Sequence, residues 1–454
     1  MRLSWKQVVG YGAGDAGNNV AFQMTGIFLL LYWTDVVGLK AADAGSIFLF
    51  VKIWDAFADI FAGRMVDRTM TRWGKFRPFI LWFSLPLLVM NLLCFYVPDF
   101  ASYGAKLAWG YATYALLGLL YSMVNIPYGS LAGAMTQLPS ERSKLAGARM
   151  VGSGVTILVL ALLLAPRLKS SSNLQGTFLL TAAVLVFVGM ALFMTTFLTS
   201  KETVYREVAK VSLRQTLRTV GQNGPLARLC GSSFMYLTGQ NIVSAIVIYY
   251  ARDYLKGTGA LLAVVTIITT GAVLYVGPFG PAITRRLGKK RGFLVACVTT
   301  IGGSLIVLVA GTRIPIALVG LFVIGVGMGV LNTMTWALEA DTVEYGEWKT
   351  GIRTEGATYA AFSFTRKVGQ AVGASIVGYA LGVVGYASAV GGVQQAQTDS
   401  TLAGIKNTFG ILPTVFFVLA FVVMTTYPLT EKRHKEILAD IRDRRERLGT
   451  AQVG

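Results

Sequence analysis

The sequence predicts an all-α membrane protein of twelve transmembrane helices arranged as two six-helix halves. Three observations carry that expectation. Hydrophobic residues make up 54% of the 454, mean hydropathy is +0.59, and charged residues reach only 14%, against about 25% in an ordinary soluble domain. Apolar stretches of roughly 20 residues recur along the chain, each able to cross ~30 Å of hydrocarbon as a helix. The basic residues are segregated between alternate breaks in those stretches, as the positive-inside rule requires of a chain that weaves through a bilayer.

Taken in order, the expected spans lie near 10–37, 43–65, 79–98, 106–137, 147–166, 177–199, 228–251, 259–284, 291–311, 314–338, 356–385 and 402–427. The first is too long, and lacks the small-residue site, for a cleaved signal peptide. With both termini in the cytoplasm, most of the 41 Lys and Arg fall in the tails and even-to-odd loops. The opposite loops hold Lys40, Lys106, Arg167, Lys169, Arg252, Lys256 and Arg313. The net charge of +19 therefore reads as basic loops against a bacterial cytoplasmic membrane and its lipid, not as a nucleic-acid surface, for which no soluble basic domain exists.

A polar, basic stretch at 201–227 divides the chain, and its segment Ser212–Gln222 reads as a short surface helix. The expected domains are thus 1–200, the middle loop, 228–428, and a charged tail at 429–454. A weak echo joins the halves: Gly74-Lys75-Phe76-Arg77-Pro78 follows the second span, and Gly288-Lys289-Lys290-Arg291-Gly292 follows the eighth. Duplicated halves suit alternating access around a site near the midplane. The 51 glycines, with Gly325, Gly327 and Gly329 among them, read as close helix packing and not as a phosphate loop.

Asp55 and Asp59 carry the chemistry. They stand four apart in the second span, so both carboxylates share a helix face. A charge at membrane depth costs at least ~2.5 kcal/mol. Two carboxylates side by side repel, which favours uptake of a proton or a metal cation. Lys52, three residues earlier, is placed to pair with Asp55. If that is a purely structural salt bridge, it leaves Asp59 unaccounted for. Further polar residues punctuate other spans: Asn18 and Asn19 in the first, Tyr121, Ser122 and Asn125 before the kink expected at Pro127 in the fourth, Arg149 in the fifth, Asn332, Trp336, Glu339 and Asp341 in the tenth, and Arg366 and Lys367 in the eleventh. Together they point to an aqueous cavity. The basic hairpin from Gly63 to Pro78 reads as lipid-headgroup contact or as a latch between helices.

Cys94, Cys230 and Cys297 sit in separate apolar spans and read as small hydrophobes. The single histidine, His434, is in the tail. Neither G-x-S-x-G nor H-E-x-x-H is present, so no catalytic residue, cofactor or resident metal is expected and the chain does not read as an enzyme.

Several stretches jointly resemble the glycoside–pentoside–hexuronide:cation symporters of the major facilitator superfamily. They are Tyr32-Trp33-Thr34-Asp35-Val36-Val37-Gly38, Trp54-Asp55-Ala56-Phe57-Ala58-Asp59, Arg72-Trp73-Gly74-Lys75-Phe76-Arg77-Pro78, Ile126-Pro127-Tyr128 and Ala340-Asp341-Thr342-Val343-Glu344-Tyr345-Gly346-Glu347. Within that family, Trp336–Glu347 and Phe362–Lys367 look like the branch that carries glucuronides. The resemblance implies a major facilitator fold. It implies cation-coupling residues at Asp55, Asp59, Ser122 and Lys367, and substrate contacts at Asn18, Asn19, Tyr121, Asn125, Arg149, Asn332 and Lys367. It also implies a conformational latch at Asp67, Arg68, Asp341, Glu344 and Arg353. The family's asparagine beside the second acid is Ala58 here, which removes an oxygen ligand and favours H+ over Na+ as the coupling ion. Two sugar-binding aspartates of the melibiose carriers become Asn19 and Asn125, a lysine becomes Asn18, and aromatic positions become Asn332 and Gly129. Fewer anions around Arg149 and Lys367 leave room for a carboxylate, which arginine holds through two parallel hydrogen bonds. The expected partners are a small glycoside and a cation, with no obligate protein partner and no nucleic acid. The expected activity is import of β-glucuronides by H+ symport. The alternatives are H+- or Na+-coupled carriage of neutral glycosides or pentosides, and a non-transporting membrane sensor.

Overall fold

In the computed structural model, residues 3–98, 102–136, 139–164, 166–167, 173–202, 221–351, 355–388 and 395–451 are described. Each expected span is occupied by helix. The first six are α1 (Trp5–Asp35), α2 (Ala41–Arg68), α3 (Arg77–Cys94), α4 (Tyr103–Met135), α5 (Pro139–Leu163) and α6 (Leu174–Thr199). α7 (Gly224–Tyr249) runs on into a π turn, Tyr250–Tyr254. The eighth span is broken into α8 (Gly259–Thr270), α9 (Ala272–Val276), a 3-10 turn and α10 (Gly280–Leu287). Then come α11 (Lys289–Ala310), α12 (Ile314–Thr350), α13 (Glu355–Val383), α14 (Asp399–Thr425) and the tail helix α15 (Glu431–Ala451). Seven of these are both long and apolar enough to cross a membrane by length and composition. α1, α2, α7 and α13 are as long but carry more polar residues.

Local chemistry explains several of the ends. Ser4 opens α1 with a reciprocal capping box to Gln7, which satisfies two otherwise orphaned backbone donors. Ser102, Asn173 and Thr258 accept from the first turns of α4, α6 and α8. α12 closes on Gly351 in the left-handed region, φ +72°, where a residue without Cβ is favoured. The eighth span differs from the unbroken helix expected because Gly277-Pro278-Phe279-Gly280-Pro281 lies within it: two prolines withhold backbone donors, and the chain tightens to 3-10 geometry. Pro127, by contrast, does not interrupt α4, which is continuous from Tyr103 to Met135. The expected surface helix at Ser212–Gln222 lies almost wholly outside the described residues.

The chain forms two compact units. The first gathers Met1–Glu207, Ile242–Leu274 and Ala374–Phe409, and the second Val208–Asn241, Tyr275–Gly373 and Gly410–Gly454. In the first, α1 packs on α5 and α6, and α4 on α2 and α3. In its interior Tyr32 meets Phe95 and Phe178 edge-on, those two rings stack on each other, and Trp33 packs against Phe48 and Tyr114. In the second, α11 lies along α12. A methyl at Gly327 would stand 2.0 Å from Thr300 Oγ1 and 2.9 Å from the Ala296 carbonyl, so this glycine serves packing as expected. Large apolar side chains such as Phe187, Val309 and Val383 point outward, as they do where lipid replaces water as the surrounding medium.

The internal echo is real at the level of hydrogen bonds. Gly74 has φ +106° and Gly288 φ +76°. After Gly74, the Glu202 carboxylate accepts from the backbone N–H groups of Lys75, Phe76 and Arg77 at 2.8–2.9 Å. After Gly288, the Glu431 carboxylate accepts from the Lys289 N–H at 2.6 Å. Glu202 lies just beyond α6 and Glu431 opens α15, and each meets the exposed N–H groups at the start of α3 or α11, where a negative charge is favoured.

Candidate functional site

Two polar clusters lie inside the first unit. The first is the carboxylate pair of α2. Asp55 is buried, and its Oδ2 accepts from Lys52 Nζ at 2.8 Å. Lys52 also lies over the Tyr114 ring, 5.5 Å from its centre. Asp59, one turn on, accepts from Ser122 Oγ at 2.5 Å. The pairing of Lys52 with Asp55 therefore forms as expected, and Asp59 is held separately by a hydroxyl of α4. Gly118 of α4 faces the pair. A methyl there would fall 1.8 Å from Asp55 Oδ1, and that oxygen is buried without a hydrogen-bond partner. Ala58 is buried beside the acids and supplies no oxygen. The cluster offers carboxylate and hydroxyl oxygens, including one unused carboxylate oxygen that can take a proton without displacing another bond.

The second cluster joins α1 to α5. The two helices touch at glycines: a methyl at Gly12 would meet the Ala148 carbonyl at 2.8 Å, and one at Gly152 the Gly12 carbonyl at 2.3 Å. That close approach brings Asp15 and Arg149 together, and Arg149 Nε donates to Asp15 Oδ1 at 2.9 Å. The Asp15 side chain is 9% exposed and that of Arg149 37%. Asn19 Nδ2 donates to Asp15 Oδ2 at 2.9 Å, and Asn19 Oδ1 accepts from Ser153 and Gln23. The Arg149 guanidinium lies 5.2 Å from the centre of the Tyr128 ring. Tyr128 in turn stacks on Tyr11, and each hydroxyl donates to the other's carbonyl. Of the expected sugar contacts, Asn19 and Arg149 thus share one cluster. Asn18 bonds back to the Gly14 carbonyl and keeps a buried, unpartnered Oδ1. Tyr121 stacks on Phe22 of α1, and Asn125 is half-buried a turn further along α4. Asn332 and Lys367 are half-buried on α12 and α13 of the second unit.

Sequence reasoning missed Asp15. It counted the anions removed from the cavity and took Arg149 as the charge left over, yet a buried carboxylate already faces that guanidinium. The signal was an acid in the first apolar span, four residues before Asn19. A second missed network lies at the end of α1. Arg252 Nη1 stands 2.5 Å from Asp35 Oδ2, Arg252 Nε 2.7 Å from Asp253 Oδ1, and Tyr386 bridges Arg252 and Asp35 through its hydroxyl. Sequence reading had placed Arg252 in a loop.

Of the latch residues, Asp341 pairs with Lys289 at 2.5 Å and Glu344 with His434 of α15 at 2.5 Å, all within the second unit. Arg433 and Asp440 of α15 meet Trp348, so the tail helix is fastened along the end of α12. The hydrogen bond that His434 Nε2 donates to the Glu344 carboxylate pushes the His434 pKa up from its usual 6.5, against the opposing effect of burial. Arg68 is exposed. The Asp67 side chain and Arg353 lie outside the described residues. The basic hairpin is organised chiefly by Glu202, with the Arg77 guanidinium donating to the Phe197 carbonyl.

A bundle of long apolar helices with buried, paired charges has the architecture of a polytopic membrane protein, and comparison with known proteins says of which class. Residues 10–431 match the family model described as "MFS/sugar transport protein", and the chain belongs to that family. It is 44% identical over 448 residues to a "Glucuronide carrier protein homolog" of Escherichia coli (strain K12), covering 98% of this chain and 97% of the relative. It is 31% identical to the "Isoprimeverose transporter" of Lactiplantibacillus pentosus, over 97% and 91% of the two chains. Its fold matches a crystal structure of the peptide transporter POT with a TM-score of 0.66, at 12% identity and 96% and 97% coverage. The protein is a multi-pass sugar transporter of the major facilitator fold, not an enzyme, and the family resemblance read from its motifs is borne out.

Proposed function

We propose that this transporter imports β-glucuronides across a bacterial cytoplasmic membrane by H+ symport, with both termini on the cytoplasmic side and two six-helix halves that alternate access. The observation that carries the reading is Arg149. Its guanidinium is anchored from behind by a buried acid while more than a third of the side chain stays open, which is how a bidentate carboxylate receptor is built. The 44% identity to a glucuronide carrier homolog supports the same substrate class. Asn19, Asn18, Tyr121 and Asn125, with Asn332 and Lys367, are assigned to the sugar and its aglycone. Asp55 and Asp59 carry the coupling proton, with Ser122 holding Asp59. A proton needs one carboxylate oxygen, whereas Na+ needs several ligands, and Ala58 withholds one of them. Asp341 and Glu344, fastened to Lys289 and His434, act as the cytoplasmic latch with Asp67, Arg68 and Arg353.

The test is counterflow of labelled p-nitrophenyl β-glucuronide in proteoliposomes, across pH and with or without Na+. Downhill glucuronide entry should alkalinise the external medium and be indifferent to Na+. Entry with no accompanying alkalinisation overturns the coupling. Preference for a neutral glycoside over its glucuronide counterpart overturns the substrate, in favour of the class to which the isoprimeverose transporter belongs.

A further inference from the structure

We propose that Asp15 is a second proton site, loaded only when a sugar acid binds. The inference rests on the glucuronide reading and adds a group that reading does not use.

In the empty carrier the charges of Asp15 and Arg149 cancel. The Asp15 side chain is buried, and Arg149 Nε at 2.9 Å is the cation beside it. α1 packs against α2, α3, α4, α5 and α6. The charged or titratable groups that face Asp15 from these elements are Arg149 of α5 and Tyr128 of α4, with Tyr11 on its own helix. Asn19 contributes a neutral donor. Among the described residues, compensation therefore rests on a single cation.

A glucuronide carboxylate arriving at the open side of Arg149 brings a second anion to that cation. The substrate either takes the guanidinium from Asp15 or shares it through the terminal nitrogens, since five N–H donors are arrayed around the group. In both cases one positive charge faces two carboxylates, of which that of Asp15 is shielded from water. An uncompensated buried charge is among the most costly states a protein can hold, and two adjacent carboxylates relieve their repulsion by taking up one proton. Asp15 is the buried member of the two, so the proton goes to its carboxylate. The hydrogen bond from Arg149 Nε to Asp15 Oδ1 is given up or weakened, an O–H bond forms on Asp15, and the proton comes from the medium on the open side. Release of the substrate on the far side returns Arg149 to Asp15 and expels the proton there. A neutral glycoside brings no second anion and loads no proton at this site. With one further proton on the Asp55/Asp59 pair, each cycle moves two H+ with one monoanion, a net charge of +1.

The experiment measures protons taken up on ligand binding by the purified full-length protein, using calorimetric titration in buffers of different ionisation enthalpy near neutral pH. p-Nitrophenyl β-glucuronide and p-nitrophenyl β-glucoside are the probes. For the wild type, about one proton per glucuronide bound is expected beyond any taken up with the glucoside, and glucuronide affinity should fall about tenfold per pH unit above neutrality. Whatever glucuronide affinity Asp15→Asn retains, its binding should take up no extra proton and its pH dependence should be flattened. Asp15→Glu should restore it in part. In proteoliposomes, an imposed potential at zero pH difference should drive glucuronide uptake by the wild type but not by Asp15→Asn. Glucuronide binding with no excess proton uptake, or with uptake that survives in Asp15→Asn, overturns the inference and leaves the substrate assignment standing. Should Asp15→Asn not fold, the wild-type comparison of glucuronide with glucoside decides alone. Absence of glucuronide binding by the wild type overturns both readings.

Discussion

Substituting Gly118 by alanine tests whether the position of the Asp55 carboxylate matters for coupling. On an exposed helix the change would stabilise the chain by about 1 kcal/mol. Here the new methyl lands 1.8 Å from Asp55 Oδ1 and 2.9 Å from its Cγ, whereas ordinary carbon contacts begin near ~3.5 Å. The carboxylate must swing away by about 1.7 Å to clear that contact. A swing of that size takes Oδ2 out of hydrogen-bond reach of Lys52, now at 2.8 Å. Losing a charged hydrogen bond costs about 1.5–3 kcal/mol, and an off-rotamer side chain a further 0.5–1.5 kcal/mol or so. After the propensity gain, Gly118→Ala should be destabilised by roughly 1–3.5 kcal/mol. The functional loss should be larger than that, because the displaced group is the proposed proton carrier. The assay is paired: thermal melting of the purified protein, and accumulation ratio of glucuronide in proteoliposomes under an imposed pH gradient. Facilitated, downhill exchange should persist while accumulation collapses. If Gly118→Ala melts and accumulates like wild type, the position of the Asp55 carboxylate has no bearing on coupling.

Three other outcomes follow from the same geometry. Asp55→Asn should lose accumulation against a gradient, and normal concentrative uptake by that variant would remove Asp55 from the coupling site. Arg252→Met leaves Asp35 buried without its cation and should destabilise the protein by about 3–5 kcal/mol; the double variant with Asp35→Asn should recover much of that loss, and melting of the two variants measures it. His434 has its pKa raised by Glu344, so its bond to the α12 end contributes fully below its usual 6.5 and is lost as pH rises through the raised value. Protease protection of the tail should fall over that window in the wild type and stay flat in His434→Gln; a pH-independent wild type would show that His434 does not fasten the tail.

The helices were legible because apolar length is a strong signal, and the carboxylate pair because a four-residue spacing on one helix face is local. Lys52 pairs with Asp55 for the same reason. What escaped depends on partners far apart in the chain. Asp15 and Arg149 are separated by 134 residues, and their meeting is decided by glycine contacts between α1 and α5 that no spacing rule reveals. Asp35 was visible only as part of a motif, and Arg252 as a loop charge, until Tyr386 was seen to join them. The echo between Gly74 and Gly288 was legible as composition, but its meaning was not, since each glycine turn is matched to a glutamate far along the chain.

The Asp35, Arg252 and Tyr386 network also constrains how the chain is made. The first unit is not a contiguous stretch of polypeptide: it draws on residues from the beginning, the middle and the last quarter. As the ribosome delivers the first six helices to the insertion machinery, Asp35 is already at its place with neither its arginine nor its tyrosine yet synthesised. That acid lacks its cation until translation has passed Arg252, and lacks its bridging hydroxyl until translation has passed Tyr386. A truncated product ending after the sixth helix should consequently be a substrate for membrane quality control, and supplying the missing segment in trans should protect it.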